Sequence, residues 1–359
     1  MKKSFSIFLA ILIITLSLGT GAAALEPVTG TLNVMTYNVS GIPVIGDFQG
    51  TQRALKGNAR MAKIGEILNS ESGCDIIGTQ EDFNHHAALA DAMPAFPYRT
   101  YTSGGAPLGD GLNAFSKYPL YNVNRTKWNN SYGVISGSTD RLAQKGILST
   151  VIEIADGVLI DFYVIHVEAG GDAKSSAARA DNYRQLAEMI NTRAFDRPII
   201  VVGDYNAGFV RRAADGLFDY LIKPTGLKDC WAEIHNNGDY IYDDGGEWNP
   251  TLYETVDRVM FKSGGGVELD AKTLQYIQYV DEQGKTFTDH IATKVRIDYT
   301  VTGEPINTQP LEAPKPFDPF QRFVDGVASV FKTLFLIFTN LHELVYLIEE
   351  GLELLQQGA

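Results

Sequence analysis

The chain has 359 residues, of which 45% are hydrophobic, and a formal net charge of −13 at pH 7. This length allows two domains or one large layered domain with a tail, and the apolar fraction is ordinary for a protein with a packed core. The acidic balance disfavours strong non-specific binding of nucleic acid, because such binding depends on Lys and Arg side chains that neutralise phosphates.

The N-terminus has the composition of an export signal. Lys2 and Lys3 precede a predominantly apolar run over 7–18, and residues 22–24 are alanines that offer a small-residue cleavage site. We expect residues 1–24 to be a signal peptide, because the apolar run is short for a bilayer span; an uncleaved anchor helix is the alternative. Both interpretations place the rest of the chain outside the cytoplasm, either secreted or extracytoplasmic.

Hydrophobic periodicity predicts strands and helices along most of the chain. In chain order we expect a strand over 32–37, a helix over 52–69, a strand over 75–79, a helix over 85–93, and strands over 98–102 and 111–115. Farther along we expect strands over 146–154 and 158–166, a helix over 177–193, a central strand over 199–202, a helix over 213–222, and strands in TVDRVMF and HIATKVRI. Residues 231–253 follow no period. Two runs of strands with helices outside them predict two packed sheets that are covered by helices on both outer faces.

The composition changes after the main domain, which we place at 25–303. Five prolines in the next segment predict a stiff linker over 304–319. Apolar residues then recur in steps of four and three, which predicts an amphipathic helix over 320–357. A membrane span is disfavoured, because polar residues such as Lys332 and His342 interrupt the apolar run. We expect this helix to lie in a membrane interface or to self-associate, and folding back onto the main domain is also open.

The two cysteines, Cys74 and Cys230, lie far apart in the sequence. Two buried free thiols are the favoured interpretation, and a single disulfide bond is the alternative in an oxidising compartment. No pattern of Cys and His residues has the spacing of a zinc site.

Several predicted strands end in polar side chains, and another begins just after a pair of them. These polar residues are Asn38, Glu81, His166, Asp204, Asn206, Asp289 and His290. If the strands lie side by side, their polar ends converge on one rim, which is where α/β folds usually place their chemistry. A bound cation would dominate the local field there, so the acidic charge of the chain does not exclude a phosphate substrate. We interpret the rim as a metal-assisted site of phosphoester cleavage.

Each of these residues also has a purely structural interpretation. Glu81 can be a solvated carboxylate at a strand end, but its place after an apolar strand favours a magnesium ligand, with Asn38 beside it. His166 can be a hydrogen-bonded core histidine. His290 is the better candidate for proton transfer, because the neighbouring Asp289 can orient its imidazole. The remaining histidines are expected on the surface or in helices.

Seven motifs of this chain resemble, in order and spacing, the motif series of the endonuclease/exonuclease/phosphatase superfamily. They are LNVMTYNV, DIIGTQE, GLNAFSKYP, VIHVEAG, IIVVGDYNA, TVDRVMF and TDHIA, and they span roughly residues 30–300. The resemblance implies a four-layer αββα sandwich with two packed mixed β-sheets, to which the amphipathic C-terminal helix is added.

The same resemblance implies roles for the residues of the rim. Asn38 and Glu81 would hold a divalent cation, either Mg²⁺ or Mn²⁺. His166 and Asn206 would contact the scissile phosphate of a phosphodiester substrate.

The remaining rim residues are implied to handle water. Asp204 and His290 would activate or position the attacking water, with Asp257 and Asp289 orienting them. Arg258 stands where the superfamily usually has an aromatic residue after Asp257. The segments around both histidines depart only mildly from the pattern of the superfamily.

Within the superfamily the chain is similar to secreted, magnesium-dependent sphingomyelinases. STDRLAQKG contains Asp140, Lys145 and Gly146 and resembles the Asp-x4-Lys-Gly element of that branch; a plain turn that leads into a strand is the alternative. The similarity implies a secreted metal-dependent phosphoric ester hydrolase, a phospholipase C-type phosphodiesterase that acts on a lipid head group. The alternatives are a secreted DNase-like nuclease, a phosphatase, and a non-catalytic module that docks on membranes.

Overall fold

The computed structural model describes residues 27–41, 57–101, 109–133, 143–207, 216–239, 256–303 and 310–315, together with residue 55 and scattered positions between 320 and 339. The strands are β1 (Thr29–Asn38), β2 (Ile76–Gln80), β3 (Tyr98–Arg99), β4 (Asn113–Ser116), β5 (Leu120–Lys127), β6 (Gly146–Ala155), β7 (Val158–His166), β8 (Ile199–Asp204), β9 (Lys228–Asp229), β10 (Asp257–Lys262), β11 (Val267–Ile277) and β12 (Ala292–Val301). The helices are α1 (Gly57–Ser70), α2 (His86–Asp91), α3 (Ala173–Asn191), α4 (Lys223–Thr225) and α5 (Cys230–His235), with a 3₁₀ turn at Phe83–His85 and a π-helical turn at Phe218–Ile222.

The strands form two sheets of six strands each. The first has the order β11-β12-β1-β2-β4-β3, and the second has the order β5-β6-β7-β8-β10-β9. Each sheet contains one parallel pair, β1 with β2 and β7 with β8, among antiparallel neighbours. Both sheets are therefore mixed, as predicted. The carboxyl ends of each parallel pair lie at the same edge of its sheet.

The two sheets pack face to face, and helices cover both outer faces. The core between the sheets is formed by buried apolar side chains of both, including Val34, Ile76, Phe162, Val202 and Val295. A Cβ atom at Gly78 would lie 2.3 Å from Cγ2 of Val202, so the sheets approach closely enough here to require glycine. Helices α1 and α2 bury their apolar sides on the first sheet, and α3 buries its apolar side on the second. These contacts confirm the four-layer sandwich.

Several element boundaries differ from the sequence-based expectations. Helix α3 begins at Ala173 because Asp172 caps it, accepting hydrogen bonds from the backbone N–H groups of Lys174 and Ser175. Strands β5 and β11 were not predicted; both are edge strands with many half-exposed residues, so their hydrophobic alternation is weak. Helix α5 lies in the segment that follows no sequence period. Cys74 and Cys230 are both free and buried, which confirms the favoured interpretation.

The predicted linker and tail are described only in part. Asn122 of β5 binds the linker through three hydrogen bonds: its backbone N–H donates to Glu312 O, its side chain accepts from Glu312 N, and Nδ2 donates to Pro310 O. The described tail positions are helical, and their side chains, including Phe331 and Phe338, are exposed except for the half-buried Ile337. Among the residues that the structure describes, no helix is long and apolar enough to cross a membrane. The predicted signal peptide and most of the tail lie outside the described residues.

Candidate active site

Strand pairing brings the polar strand ends together. In the first sheet Asn38 pairs in register with Gln80, so Glu81 follows directly beside the end of β1. In the second sheet Asp204 lies between His166 on one side and Asp257 on the other. A hydrogen bond of 3.2 Å from Asn38 Nδ2 to Asp204 Oδ2 joins the two sheets at this edge. We call Asn38, Glu81, His166, Asp204, Asp257 and His290 the rim cluster.

Glu81 is held in an unusual backbone conformation. Its φ is +62°, in the left-handed region that side chains other than glycine seldom adopt. The backbone N–H of Gly41 donates to the Glu81 carbonyl at 2.7 Å, and Asn38 Nδ2 donates to Glu81 Oε1 at 3.1 Å. Burial raises the pKa of the Glu81 carboxyl, and the positive charge of Lys145 partly opposes that effect. Such local strain is typical of functional sites.

His166 faces two carboxylates. Its Nε2 lies 3.3 Å from Asp204 Oδ2 and 3.9 Å from Glu81 Oε1. Trp128 Nε1 donates to the carbonyl of His166 at 2.6 Å and so fixes the end of β7. Nδ1 is buried and has no hydrogen-bond partner among the described residues. Burial, together with the charges of Lys145 and His290, lowers the pKa of His166 well below its usual value, so the ring is neutral at pH 7.

His290 is oriented by Asp257. Its Nδ1 lies 2.8 Å from Asp257 Oδ2, and its Nε2 lies 3.8 Å from Asp204 Oδ2. Burial alone would lower the pKa of His290, but the negative charges of Asp257, Asp204 and Glu81 outweigh it and raise the pKa to about 10. At neutral pH the two imidazoles are therefore in opposite protonation states, which is a common arrangement in acid–base sites.

Asp204 lies between the two histidines. Burial and the negative charge of Asp257 raise its pKa from 3.8 to about 6, so the carboxylate is still mostly ionised at neutral pH. Asn206, the other polar residue after β8, donates its backbone N–H to Asp204 Oδ1 at 2.8 Å. The Asn206 side chain donates to the carbonyl of Val167 at 2.9 Å, which ties it to the end of β7.

The structure differs from the sequence-based expectation for Asp289. This residue is exposed, and the carboxylate at His290 Nδ1 is that of Asp257 instead. Arg258 does not disturb that contact, because neighbouring strand residues point to opposite faces: its guanidinium donates to Ala207 O and to Asp229 Oδ2. A residue immediately before a histidine is thus a poor guide to the group that orients the ring.

Three buried residues near the rim were not predicted as part of the site. Lys145 is 6% exposed and opposes the burial effects on Glu81 and Asp204; the Asp-x4-Lys-Gly pattern had marked it. Thr288 Oγ1 donates to Asn38 O at 2.9 Å. Arg60 is buried behind Asn38. A charged residue at this position, in the apolar stripe of α1 one turn before Ile64, is a feature of the sequence that could have identified Arg60. Asp140 lies outside the described residues.

The rim cluster has the donor atoms that a small divalent cation requires. Glu81 offers a buried carboxylate, an oxygen ligand of the kind that suits Mg²⁺ and Mn²⁺. Asn38 Nδ2 donates to this carboxylate and Asn38 Oδ1 accepts from the Ser40 N–H, so Asn38 would bind a cation through Oδ1 after its amide turns. A second group is formed by Asp204, Asp257 and His290, whose potential ligand atoms lie within 4.8 Å of one another. Burial removes water from the carboxylates of Glu81 and Asp204 and so raises their pKa values. A cation nearby would stabilise the ionised carboxylates and lower these pKa values again. The residues therefore fit a divalent cation.

Comparison with known proteins places the chain among phosphoester-cleaving proteins. The family model described as Endonuclease/Exonuclease/phosphatase family matches residues 35–290. Proteins named sphingomyelinase from Mycobacterium bovis and Mycobacterium tuberculosis are 24% identical over 298 residues, which is 79% of this chain and 56% of theirs. The chain thus spans little more than half the length of these relatives.

Solved structures share the fold. Sphingomyelinase C from Streptomyces griseocarneus is 18% identical with a TM-score of 0.50, over 74% of this chain and 99% of that one. A mutant of beta toxin from Staphylococcus aureus with bound magnesium ions is 16% identical with a TM-score of 0.50, over 74% and 99%. TDP2 of D. rerio with a single-strand DNA product is 14% identical with a TM-score of 0.53, over 75% and 99%. At these identities the likeness shows the fold alone.

Proposed function

Since this chain belongs to the endonuclease/exonuclease/phosphatase family, a superfamily of phosphoester hydrolases, we propose that it is a divalent-metal-dependent phosphodiesterase with phospholipase C-type activity. The proposed substrate is a phospholipid of the sphingomyelin class, cleaved between the lipid and its phosphorylated head group. One observation carries the proposal: five polar residues from distant parts of the chain meet at one edge of the sandwich, each with a polar atom within 3.8 Å of another member. They are Asn38, Glu81, His166, Asp204 and His290.

Asn38 and Glu81 would hold the cation. A bound Mg²⁺ or Mn²⁺ supplies Lewis-acid polarisation of the phosphoryl oxygens and neutralises the charge that develops on them. The chain's own part is to present Glu81 Oε1 and the Asn38 amide on adjacent, parallel strand ends, where their separation is fixed by the sheet. His166 and Asn206 would donate to the other oxygens of the phosphate, which would stabilise the pentacoordinate state.

Asp204 and His290 would handle the protons. Asp204 is ionised at neutral pH and lies 3.8 Å from His290 Nε2, so a water held beside this pair can lose a proton to the carboxylate. His290 carries a proton on each ring nitrogen at that pH, because its pKa is raised to about 10. It therefore donates to the leaving oxygen, while Asp257 holds the ring at Nδ1.

The lipid assignment is supported by two independent features. The curated relatives that match most of this chain are named sphingomyelinases. The net charge of −13 opposes the approach of a polyanion such as DNA, whereas a zwitterionic head group brings little net charge with it. The likeness to a DNA-bound neighbour concerns the fold, so it favours no substrate.

Export and membrane association belong to the same proposal. We infer secretion from the predicted signal peptide over 1–24, and N-terminal sequencing of protein recovered from the medium tests it. The exposed aromatic residues of the described tail positions, including Phe331 and Phe335, support contact with a membrane interface or with a second copy of the chain. Either contact would keep the enzyme near its substrate or its partner.

A substrate panel tests the proposed activity. The purified protein is incubated with sphingomyelin liposomes, supercoiled plasmid DNA, a chromogenic phosphodiester and a chromogenic phosphomonoester, each with Mg²⁺, Mn²⁺ or EDTA. We expect release of phosphocholine from the liposomes with Mg²⁺ or Mn²⁺ and none with EDTA. Nicking of DNA without lipid turnover would instead identify a nuclease, and release of phosphate from the monoester alone would identify a phosphatase. If none of the four substrates is cleaved, the remaining interpretation is a non-catalytic module that docks on membranes.

A further inference from the structure

A buried arginine lies directly behind the rim cluster. Arg60 is in the first turn of α1 and is only 4% exposed. Its Nη1 donates to the carbonyl oxygens of Val39 at 3.0 Å and Phe287 at 2.7 Å, and its Nη2 donates to the carbonyl of Ser40 at 2.7 Å. One guanidinium therefore binds two segments of backbone that are far apart in the sequence.

The cost of burying this charge argues for a specific role. Helix α1 rests its apolar side on the first sheet through residues such as Met61, Ile64 and Leu68, and an aliphatic side chain would pack at position 60 without loss of hydration. The carbonyls that Arg60 binds belong to Val39 and Ser40, which follow β1, and to Phe287, in the loop before β12; neither segment is paired in the β1–β12 ladder. The planar fork of arginine can satisfy several such carbonyls at once, because its five N–H donors are fixed in position.

The two segments are also those that carry opposite sides of the rim cluster. Val39 and Ser40 follow Asn38, and the Ser40 backbone N–H donates to Asn38 Oδ1 at 2.9 Å. Phe287 precedes Thr288, whose hydroxyl donates to Asn38 O at 2.9 Å and accepts from the backbone N–H of His290 at 3.2 Å. Arg60 and Thr288 thus form a continuous hydrogen-bonded connection between the backbone at Asn38 and the backbone at His290.

We propose that Arg60, through Val39, Ser40 and Phe287, is a positioning residue that sets the distance between the cation side of the site at Asn38 and the proton-transfer side at His290. The role of each side rests on the proposed function, whereas the coupling of the two segments does not. The hydrogen bonds of Arg60 to Val39, Phe287 and Ser40 all go to backbone carbonyls. Residues that hold first ligands in place in this manner typically change metal affinity or activity by about 10- to 100-fold when they are replaced.

Amide hydrogen exchange tests the coupling without substrate or metal. The variants are Arg60→Lys, which keeps the charge but lacks the fork, and Arg60→Met, which removes both. Arg197→Lys is the matched control, because Arg197 is equally buried and binds Asp161 far from the rim. In both Arg60 variants we expect faster exchange in residues 38–41 and 287–291 together, with a smaller effect for Lys than for Met. The control should leave both segments at the wild-type rate.

Metal titration provides the second readout. The Mg²⁺ concentration at half-maximal thermal stabilisation should rise about 10- to 100-fold in the Arg60 variants and stay unchanged in Arg197→Lys. If Arg60→Met does not fold, Arg60→Lys and Thr288→Val test the same connection, and Thr288→Val should loosen the same two segments. Wild-type exchange in both segments, or loosening of only one, overturns the proposal. Faster amide exchange in both segments together with an unchanged Mg²⁺ midpoint also overturns the proposal.

The two readouts separate this proposal from the proposed function. If the wild-type protein gains no stability from Mg²⁺ or Mn²⁺, the metal-dependent activity fails, and the exchange pattern alone then decides whether Arg60 couples the two segments. If metal stabilises the protein and the Arg60 variants behave as wild type in both assays, the positioning role fails while the proposed activity stands.

Discussion

The two ends of β7 carry buried charges that are balanced in opposite ways. Near its start, Asp161 receives two hydrogen bonds from Arg197, at 2.9 and 2.6 Å, and lies 3.6 Å from Arg193 Nε. At its end, about 16 Å farther on at roughly 3.3 Å per residue, His166 faces the carboxylates of Glu81 and Asp204. We call the group of Asp161, Arg193 and Arg197 the far-end cluster.

The difference separates a structural ionic cluster from a reactive one. In the far-end cluster the carboxylate is bonded by a fixed guanidinium, so the charges are compensated inside the protein. In the rim cluster, carboxylates share imidazoles that can gain or lose protons. Burial raises the pKa of Asp161 as well as those of Glu81 and Asp204, so the two clusters differ in the partners of their carboxylates and not in burial. A buried site with such an excess of negative charge is stabilised by binding a cation. The far-end cluster needs no ligand to be stable.

The largest difference between the clusters should appear on replacing His290. His290→Ala removes the donor to the leaving oxygen, so turnover should fall by about 10²- to 10⁴-fold. The fold should be retained, because His290 is partly exposed and lies in a loop. Steady-state kinetics at saturating Mg²⁺ measure the loss. His235→Ala, at the exposed end of α5, is the control and should keep the wild-type rate. Retention of most activity by His290→Ala would remove this residue from the mechanism.

Replacing Arg197 should have the reverse outcome. Arg197→Met leaves Asp161 buried beside a weaker partner, which should cost about 3–5 kcal/mol of unfolding free energy. The folded fraction should turn over substrate at the wild-type rate, since the far-end cluster does not touch the rim. Urea denaturation and active-site-normalised kinetics at low temperature check both statements. A large loss of specific activity without a loss of stability would contradict the distinction between the clusters.

Glu81→Gln should remove the response of the protein's stability and turnover to metal. The substitution removes a buried charge of raised pKa but keeps the shape, so the metal-free protein should be at least as stable as the wild type. Stabilisation by Mg²⁺, about 2.7 kcal/mol at a hundredfold excess over Kd, should be lost together with turnover. Thermal unfolding with and without Mg²⁺ measures the effect. A wild-type Mg²⁺ response would exclude Glu81 as a ligand.

A smaller effect is expected in the pH dependence of stability, to which Asp204 of the rim cluster contributes. The pKa of Asp204 is raised from 3.8 in the unfolded chain to about 6, so its protonated form stabilises the folded state. That contribution is complete below pH 3.8 and is lost as the pH rises through about 6. The Asp204 contribution to the melting temperature of the metal-free protein should therefore be smaller at pH 7 than at pH 5, while His166, whose pKa is lowered, contributes in the opposite direction. Asp204→Asn should remove the Asp204 contribution from the slope of melting temperature against pH; a slope equal to that of the wild type would contradict the assignment.

The smallest expected effect on catalysis concerns the tail. Deleting residues from 320 onward should leave cleavage of a soluble chromogenic phosphodiester unchanged, because the described tail positions are exposed and the rim lies within the sandwich. Binding to sphingomyelin liposomes, or oligomer size in solution, should fall. Co-sedimentation and light scattering measure the two. If both stay at the wild-type level, the tail neither binds membrane nor self-associates.

Local sequence signals predicted most residues of the rim cluster but few of the hydrogen bonds and ion pairs among them. Asn38, His166 and Asp204 were found because each ends an apolar strand, and such ends are visible without knowing what pairs with them. The partner of His290 was not visible in this way: the carboxylate at its Nδ1 belongs to Asp257, which is thirty-three positions earlier in the chain, while its sequence neighbour Asp289 is exposed. The edge strands β5 and β11 were missed because their pattern is weakly amphipathic.

The sequence by itself determined the layered α/β architecture, the burial of both cysteines and the positions where apolar strands end in polar residues. These follow from periodicity and composition, which are local properties of the chain. Only the tertiary structure decided which carboxylate orients which imidazole, why Arg60 lies in an apolar helix face, and how the charges at the two ends of β7 are balanced. Those features depend on strand register and on burial between distant segments, because hydrogen bonds and pKa values are set by distances and desolvation that no single stretch of sequence contains.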